Sequence, residues 1–459
     1  MVILSYEFAL CFLAFFALYW LFYRHVAIQN ALLIMAAVLF IASWSPAFLA
    51  SLLFVWAVTQ GTVTLWTRYH KTWMVALAVV LLVAHLCFFK YTNFVITQVN
   101  LAGLSVNPLE IVLPLGISFY TFQAISYLVD VYKAKMTPLP APIALGFLGF
   151  VPTVVSGPIF RAKEAKEYWQ TERRQVLFPY LAAALLLSAL VKKIVLAGWL
   201  ETLWVIPVFS NPMQFNGLEV LTGLYAYSLQ LFFDFSGYTD LAIALGLLLG
   251  FRLPQNFNRP YLATDIQDFW AKWHITLSTW IRDYIYIPLG GSRVGFWRTQ
   301  FNLMAAFVIS GVWHGAGWNF FIWGAIHGMA LVWLNLLKGY GTRGYLTKHA
   351  KPLAVFLTFH YVTFGWIFFR SGSMEQALEL ILALGNFTDA TFGLSLLFTL
   401  PLMFVAWCIY PYLGNFHTSL ARILALLPWW LLPIVLTLAT LEIFALAPDG
   451  LPSFIYANF

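Results

Sequence analysis

Two histidines in an otherwise apolar chain are the side chains best suited to acid–base chemistry. His274 lies in KWHITLSTW and His314 lies in VWHGAGW, and each directly follows a tryptophan. A general base works best with a pKa near neutrality, where imidazole starts, so two histidines can share the activation and orientation of a nucleophile. The alternative is that each is a packed polar side chain that hydrogen-bonds a neighbouring helix.

A third histidine, His327, follows His314 by thirteen residues. On one continuous helix, a rotation of ~100° per residue puts the two side chains ~220° apart, on different faces. The sequence therefore predicts a structural role for His327, unless the glycines between the two histidines break the helix.

The sequence has no motif that would supply its own nucleophile or bind a metal. It contains no G-x-S-x-G, H-E-x-x-H or phosphate-loop pattern. Its three cysteines, Cys11, Cys87 and Cys408, lie far apart without metal-type spacing. We therefore expect no metal site, and catalysis by the histidines must act on a nucleophile supplied by something else.

The composition is that of an integral membrane protein. Of the 459 residues, 62% are hydrophobic and 9% are charged, against about 45–50% and 25% in soluble domains. The net charge of +7 comes from basic residues that sit mostly between apolar runs, which is typical of cytoplasmic loops and not of nucleic-acid binding. The first run has no basic leader or cleavage site, so we expect a retained span, and Arg24 and His25 directly after it predict that its N-terminus faces outward.

The apolar runs predict an all-α polytopic membrane protein with about twelve passes in one transmembrane domain, residues 1–447. If both termini face outward, the number of passes is even. A spanning helix needs ~20 residues, so the shortest runs are expected to be tilted or re-entrant pieces. The runs cover residues 2–22, 30–61 (two passes broken near Ser45 and Pro46), 73–89, 111–131, 141–160, 177–191, 194–209, 216–233, 238–251, 301–313, 317–337, 352–369, 391–411 and 425–447.

Residues 255–298 differ from the rest because they are too polar to span a bilayer. Their tryptophans and tyrosines suit the headgroup layer, and the spacing from Asp265 to Asp283 is typical of interfacial helices that dip into a cavity. Shortly before them, Asp234 lies inside the apolar pass FFDFSGY. A carboxylate in such a pass usually faces protein or water and marks function.

The last residues, 448–459, form a short aromatic tail that ends in FIYANF, where Tyr456 is the last hydroxyl-bearing side chain. Tyr and Phe at a membrane edge are commonly anchors in the aromatic belt. The other interpretation is that Tyr456 is a nucleophile. A phenol has a pKa near 10, so it would need a histidine base within hydrogen-bond reach.

Six motifs, in this order, resemble the membrane-bound O-acyltransferase family. They are most similar to its bacterial branch for alginate O-acetylation, peptidoglycan O-acetylation and teichoic-acid D-alanylation. The resemblance runs from about residue 88 to 370, which it identifies as the catalytic core. The motifs are FFKYTNF (Phe88–Phe94), LPLGISFYTFQAISYLVDVY (Leu113–Tyr132), SGPIFR (Ser156–Arg161), FFDFSGYTDLAIALGLLLGF (Phe232–Phe251), FWAKWHITLSTWIRDYIYIPLGG (Phe269–Gly291) and SGVWHGAGWNFFIWGAIHGM (Ser310–Met329).

The resemblance implies roles for several residues. His314 falls on the principal catalytic histidine of the family and His274 on its second active-site polar position, both lining a central tunnel. The tail resembles a C-terminal motif of bacterial members whose tyrosine is thought to carry the acyl group, which favours Tyr456 as carrier. The implied donor is acetyl-CoA, a cytoplasmic acetyl thioester. Its phosphates favour basic residues at the tunnel mouth, although topology signals explain the same residues equally well: Arg252, Arg259, Lys272 and Arg282.

The implied pathway is a relay through the bacterial cytoplasmic (inner) membrane. An outer partner, an O-acetyltransferase of SGNH hydrolase type, is expected to pass the acetyl group to a cell-envelope polysaccharide such as peptidoglycan or alginate. A partner is implied because the chain shows no outer domain of its own after the last apolar run.

Three alternatives stay open on the sequence alone. A transporter of a glycan or lipid would use Asp234 and Asp240 as ion or substrate residues. A D-alanyl transferase would take its acyl group from a carrier-protein thioester, although the tail fused to this chain favours acetyl transfer. A scaffold for polysaccharide export would leave His314 replaceable.

Overall fold

The computed structural model describes residues 5–338, 349–387 and 394–448, and in these ranges it is helical with no β-strand. The predicted all-α fold is therefore confirmed for the described residues. The chain divides into two compact units. The first contains the residues up to Ala182 together with Ala242–Pro254, and the second contains Ala183–Leu241 and the residues from Gln255 onward. The single transmembrane domain over residues 1–447 stays a prediction.

The helices follow one another along the chain with short connections. In order they are α1 Tyr6–Leu21, α2 Val26–Ala42, α3 Pro46–Tyr69, α4 Thr72–Leu101, α5 Ile117–Tyr132, α6 Ala141–Leu148, α7 Val151–Val154, α8 Ala162–Trp169, α9 Pro179–Ser210, α10 Gly217–Leu248, α11 Ile266–Trp270, α12 Ile275–Ile281, α13 Phe296–His314, α14 Trp318–Lys338, α15 Lys351–Arg370, α16 Met374–Ala383, α17 Leu394–Ile409, α18 Phe416–Ala425 and α19 Leu431–Ala445. Helix α9 contains two π-helical stretches, Val191–Ala197 and Glu201–Val205.

Six described helices, α3, α4, α9, α10, α14 and α15, are long and apolar enough to cross a membrane. The apolar helices α1, α2 and α19 are shorter, and the 16 residues of α1 fall below the ~20 that a perpendicular span needs. These helices fit a multi-pass membrane protein. They do not confirm the predicted total of about twelve passes.

In the first unit, the apolar run at residues 30–61 is broken where the sequence predicts. Ser45 caps the start of α3, because its hydroxyl accepts a hydrogen bond from the Ala47 amide at 3.2 Å. Pro46 follows at the first helical position, where its missing N–H costs no hydrogen bond. Helix α3 then packs against α4 and α5.

In the second unit, the run that carries His314 and His327 is two helices and not one. Helix α13 ends at His314, Gly315 is extended with φ −165°, and α14 begins at Trp318. The separation of ~220° between the two histidines assumed one continuous helix, and that assumption is wrong here. The break therefore removes the geometric reason for keeping the two histidines apart.

Helices α13 and α14 touch backbone to backbone at two glycines. A Cβ atom on Gly311 would lie 2.3 Å from the carbonyl oxygen of Phe320, and one on Gly324 would lie 2.5 Å from the carbonyl oxygen of Phe307. Any other residue would push the helices apart, so the missing side chains set how closely α14 approaches α13.

Helices α9 and α10 also pack closely, and two ion pairs join them. A Cβ atom on Gly237 of α10 would lie 3.2 Å from Cβ of Lys192. On either side of this contact, Lys193 pairs with Asp234, and Lys192 lies 2.6 Å from Asp240. The carboxylate that the sequence placed inside an apolar pass is thus neutralised by a lysine of the neighbouring helix.

Residues 255–298 form short helices and turns, as expected for a segment that does not span. Asp265 caps α11 by accepting a hydrogen bond from the Asp268 amide at 2.8 Å. Helix α12 continues into a π-helical turn at Arg282–Tyr286. The position of this segment at the headgroup layer stays a prediction.

Candidate active site

His314 occupies the end of α13 among aromatic rings. Its side chain is buried, and its ring centroid lies 4.8 Å from that of Trp313, 5.1 Å from Trp323 and 5.1 Å from Phe369. Gly315 makes this packing feasible, because a Cβ atom there would lie 2.0 Å from the Phe320 ring. The missing side chain of Gly315, next to His314 in the chain, therefore leaves room for the Phe320 ring of α14.

His274 is fixed in an unusual backbone conformation by a buried amide. Its φ is +42°, in the left-handed region, and it precedes α12. The side-chain oxygen of Asn256 accepts hydrogen bonds from the Thr276 amide at 3.3 Å and the Thr276 hydroxyl at 2.6 Å, and it lies 3.3 Å from Nδ1 of His274. All three side chains are buried.

This network assigns the tautomer of His274. A backbone N–H only donates, so the Asn256 atom that binds the Thr276 amide must be the oxygen and not the nitrogen. The imidazole Nδ1 must then donate to that oxygen, which leaves a lone pair on Nε2. Nε2 is buried and has no hydrogen-bond partner among the residues that the structure describes. A neutral imidazole in this state can accept a hydrogen bond or a proton from a substrate group.

Burial keeps the His274 imidazole neutral. The side chain is completely buried, its ring lies 4.7 Å edge-on from Phe235, and this desolvation lowers the pKa of His274 to about 3. His274 lies outside the six candidate spans. At physiological pH its Nε2 lone pair is therefore available.

The two histidines share one neighbour, Trp313. The Trp313 ring centroid lies 6.5 Å from that of His274 and 4.8 Å from that of His314. These distances limit the separation of the two imidazole centroids to about 11 Å. The structure thus brings together side chains that are forty residues apart in sequence, at one aromatic site.

His327 is close to the same site, although the sequence predicts a structural role for it. It is completely buried, and its ring lies 4.9 Å from Trp323, which also contacts His314. Neither of its ring nitrogens has a hydrogen-bond partner within the described ranges. The structural role of His327 stays a prediction.

A cavity of about 880 Å³ lies beside this aromatic site and follows α13. Its lining reaches Ser310, one helical turn before His314, and includes Ile275, which directly follows His274. Arg282 is also part of the lining, with its Nε 2.7 Å from the Asp283 carboxylate. The cavity is large enough for a small-molecule substrate, since such sites measure about 300–1,000 Å³.

The four basic residues expected near a donor do not form one cluster in the second unit. Lys272 pairs with Asp268 at 2.7 Å, and Arg259 donates to the carbonyl oxygen of Pro411 at 3.2 Å. Arg252 belongs to the first unit, where its guanidinium lies over the Phe178 ring. Of the four, only Arg282 lines the cavity. Their assignment to donor binding stays a prediction.

One predicted site residue lies outside the structure's described ranges, and one residue of the site was not predicted. Tyr456, expected as the acyl carrier, lies outside the described residues. Asn256 is a site residue that sequence reasoning missed. The available signal was its place in QNFNRP, a polar stretch shortly before His274, but nothing local indicates that its amide binds the histidine.

A polar cluster of Ser188, Lys192, Asp240 and His417 occupies another part of the second unit. The Asp240 carboxylate lies 3.1 Å from the Ser188 hydroxyl, 2.6 Å from Lys192 Nζ and 3.3 Å from His417 Nε2. Asp240 and Asp234, the residues that a transporter would use, are thus both engaged with lysines.

A sequence profile of the membrane-bound O-acyltransferase family matches residues 89–371 of the chain. The peptidoglycan O-acetyltransferase of Helicobacter pylori is 36% identical over 384 residues, which cover 76% of this chain and 72% of that protein. The probable alginate O-acetylase AlgI of Pseudomonas aeruginosa is 36% identical over 374 residues, covering 78% and 70%. The teichoic acid D-alanyltransferase of Bacillus subtilis is 30% identical over 277 residues, covering 56% and 68%.

The matched segment contains both histidines, the Trp313 between them and the lining of the cavity. A match over more than half of the chain, together with relatives of the same kind along most of its length, shows the family. The chain belongs to the membrane-bound O-acyltransferase family and is an acyltransferase.

Proposed function

We propose that this protein moves acetyl groups from cytoplasmic acetyl-CoA across the bacterial inner membrane for O-acetylation of a cell-envelope polysaccharide. The acetyl group first passes to Tyr456. An outer SGNH-type transferase then passes it to the polysaccharide, which is peptidoglycan or an exopolysaccharide such as alginate.

The proposed first step is acyl transfer from a thioester to a phenol. A histidine nitrogen, assigned to His314, accepts the phenolic proton of Tyr456 while the oxygen attacks the thioester carbonyl carbon. The C–S bond then breaks, and the CoA thiolate takes the proton back from His314. The products are acetyl-tyrosine and free CoA, and the histidine returns to its starting state.

His274 orients the nucleophile in this proposal. Its Nδ1 is committed to the Asn256 oxygen, so Nε2 presents a lone pair to an incoming hydroxyl. A hydrogen bond to Nε2 would hold the phenol in a fixed direction while His314 removes its proton. The observation that carries the proposal is this pairing of two buried histidines around Trp313, in a chain of an O-acyltransferase family.

The cavity beside α13 is the proposed binding site for the donor. It extends from the cationic Arg282 to Ser310, one turn before His314. The phosphates of CoA would lie at the Arg282 end, since guanidinium groups bind phosphate through several N–H donors. The thioester would then approach His314 from the Ser310 end.

The relatives favour acetyl transfer over D-alanyl transfer. The proteins named peptidoglycan O-acetyltransferase and alginate O-acetylase align with 76% and 78% of this chain, whereas the teichoic acid D-alanyltransferase aligns with 56%. Membership in an acyltransferase family likewise favours an enzyme over a transporter or a scaffold.

The proposal can be tested with radiolabelled acetyl-CoA. The purified protein in detergent is incubated with the donor and quenched in acid, and the covalent label is mapped by peptide mass spectrometry. The wild type is compared with His314→Ala and Tyr456→Phe. We expect label on Tyr456 in the wild type and no label in either variant.

Other outcomes would change the proposal in defined ways. Release of free CoA without labelled protein would keep the acyltransferase and reject Tyr456 as carrier. Turnover of a carrier-protein D-alanyl thioester, without turnover of acetyl-CoA, would reject the acetyl donor. Label that persists in His314→Ala would reject His314 as the base.

A further inference from the structure

The cavity that we assign to the donor ends before it reaches His314. Within the described part of the chain, its lining contains Trp270 and Phe307 but not His314. The two rings pack edge to face with centroids 5.1 Å apart. These two rings are therefore part of the wall that a donor in the cavity would contact.

Trp323 contacts both a ring of the cavity lining, Trp270, and His314. Its centroid is 5.7 Å from that of Trp270 on the cavity side and 5.1 Å from that of His314, with both contacts close to perpendicular. Trp323 is only 1% exposed. The indole thus touches both the wall of the cavity and the imidazole.

The surroundings of Trp323 hold its indole in place. One face stacks on Trp366 with centroids 5.9 Å apart at 18°, and Phe369 lies 5.1 Å away. The next residue, Gly324, is one of the two glycines at which α14 touches the backbone of α13. Its backbone therefore cannot retreat from α13 without separating the two helices.

We propose that Trp323 limits the length of the acyl group that this enzyme transfers. This inference rests on the proposed acyl-CoA donor and adds the selection of acyl size. The carbonyl must reach His314, so the carbons beyond it occupy the space beside the indole. A methyl group fits against the ring, whereas each added methylene meets a tightly packed wall, where overpacking is unfavourable.

The test measures kcat/KM for acetyl-, propionyl-, butyryl- and hexanoyl-CoA by CoA release. For the wild type we expect a loss of about 10-fold or more for each added methylene. Trp323→Ala should raise the ratio of hexanoyl to acetyl turnover by about 100-fold or more. Trp333→Ala is the matched control, because Trp333 lies on the same helix and is 62% exposed. It should keep the wild-type profile.

A smaller substitution protects the test against misfolding. Thermal unfolding in detergent shows whether Trp323→Ala folds. If it does not, Trp323→Phe keeps an aromatic ring against Trp366 and should admit propionyl and butyryl groups while still excluding hexanoyl.

Two results overturn the inference alone: a folded Trp323 variant with the wild-type profile, or a wild type that uses hexanoyl-CoA as well as acetyl-CoA. If the wild type releases CoA from no acyl-CoA at all, the proposed function fails as well, so the two failures can be told apart.

Discussion

Two histidines of the second unit, His274 and His417, differ in burial and in the partners of the imidazole. His274 is completely buried, and its Nδ1 binds the neutral amide of Asn256. The His417 side chain is 32% exposed, and its Nε2 lies 2.9 Å from the Ser188 hydroxyl and 3.3 Å from the Asp240 carboxylate. Nε2 of His274 has no hydrogen-bond partner among the described residues, so it can accept a hydrogen bond from a substrate. His417 uses the same nitrogen to join α18 to α9 and α10, so a histidine in an apolar chain is not by itself a sign of catalysis.

The strongest test compares His314→Ala, at the same candidate active site as His274, with His417→Ala in the polar cluster. A general base contributes about 10²–10⁴-fold to a rate, so His314→Ala should lower kcat for CoA release by about 10³-fold. His417→Ala should leave kcat within about 3-fold, because a partly exposed polar contact contributes little. Both are measured on protein that passes a thermal unfolding check. Equal losses in the two folded variants would break the contrast.

Two neighbouring lysines of α9 form ion pairs that are expected to differ in how much they stabilise the fold. The side chains of Lys193 and Asp234 are 3% and 2% exposed, whereas those of Lys192 and Asp240 are 19% and 10% exposed. Breaking a buried pair costs about 3–5 kcal/mol, because one charge is left without its partner. Asp234→Asn should therefore lower the free energy of unfolding by about 3 kcal/mol, and Asp240→Asn by clearly less.

A double variant separates the charge from the packing at this buried pair. Lys193→Met with Asp234→Leu removes both charges and should recover most of the stability lost in Asp234→Asn. Chemical or thermal unfolding in detergent measures both. If Asp234→Asn were as stable as the wild type, the Lys193–Asp234 pair would not stabilise the packing of α9 against α10.

Asn256→Asp converts the neutral partner of His274 into an ionic one. A carboxylate next to Nδ1 favours the protonated imidazole and raises the His274 pKa from its present value of about 3. Protonation removes the Nε2 lone pair, so activity is lost as pH falls through the raised pKa. The acid limb of the pH–rate profile should therefore move upward into the range between about pH 5 and 7, with about a 10-fold loss at its lower end.

The control for this pH profile is Asn100→Asp, the same substitution in the first unit at a partly exposed asparagine whose amide bonds the Val106 backbone and no histidine. Its profile should coincide with that of the wild type. Coincident profiles for Asn256→Asp and the wild type would mean that His274 does not act through Nε2.

The smallest expected effect is a change in KM for the donor when a basic residue of the cavity lining is replaced. Arg282 lines the cavity, whereas Lys272 does not. Arg282→Gln should raise KM for acetyl-CoA by about 3-fold at low salt with kcat unchanged, since an exposed cation contributes little and is screened by salt. Lys272→Gln should change KM by less. A larger effect for Lys272→Gln would place the donor phosphates outside this cavity.

The sequence predicts the helical class, the polar segment at 255–298 and the two histidines, because each is marked by local composition or by a motif. The sequence does not decide whether the helix breaks at Gly315, since two glycines inside an apolar run are compatible with a continuous helix and with a helix end. Asn256, Trp323 and the Asp240–His417 contact could not be found, because each depends on residues distant in sequence. The expected pass count also exceeds what helix length in the described residues supports.

The left-handed backbone at His274 restricts which residues evolution can place there. With φ at +42°, most side chains would be strained, whereas glycine, asparagine and aspartate are tolerated. Of these, asparagine and aspartate also carry a polar group that could face the substrate. A protein engineer who replaces His274 with alanine would therefore disturb the chain trace and the chemistry together, whereas asparagine changes the chemistry and leaves the turn that starts α12 intact.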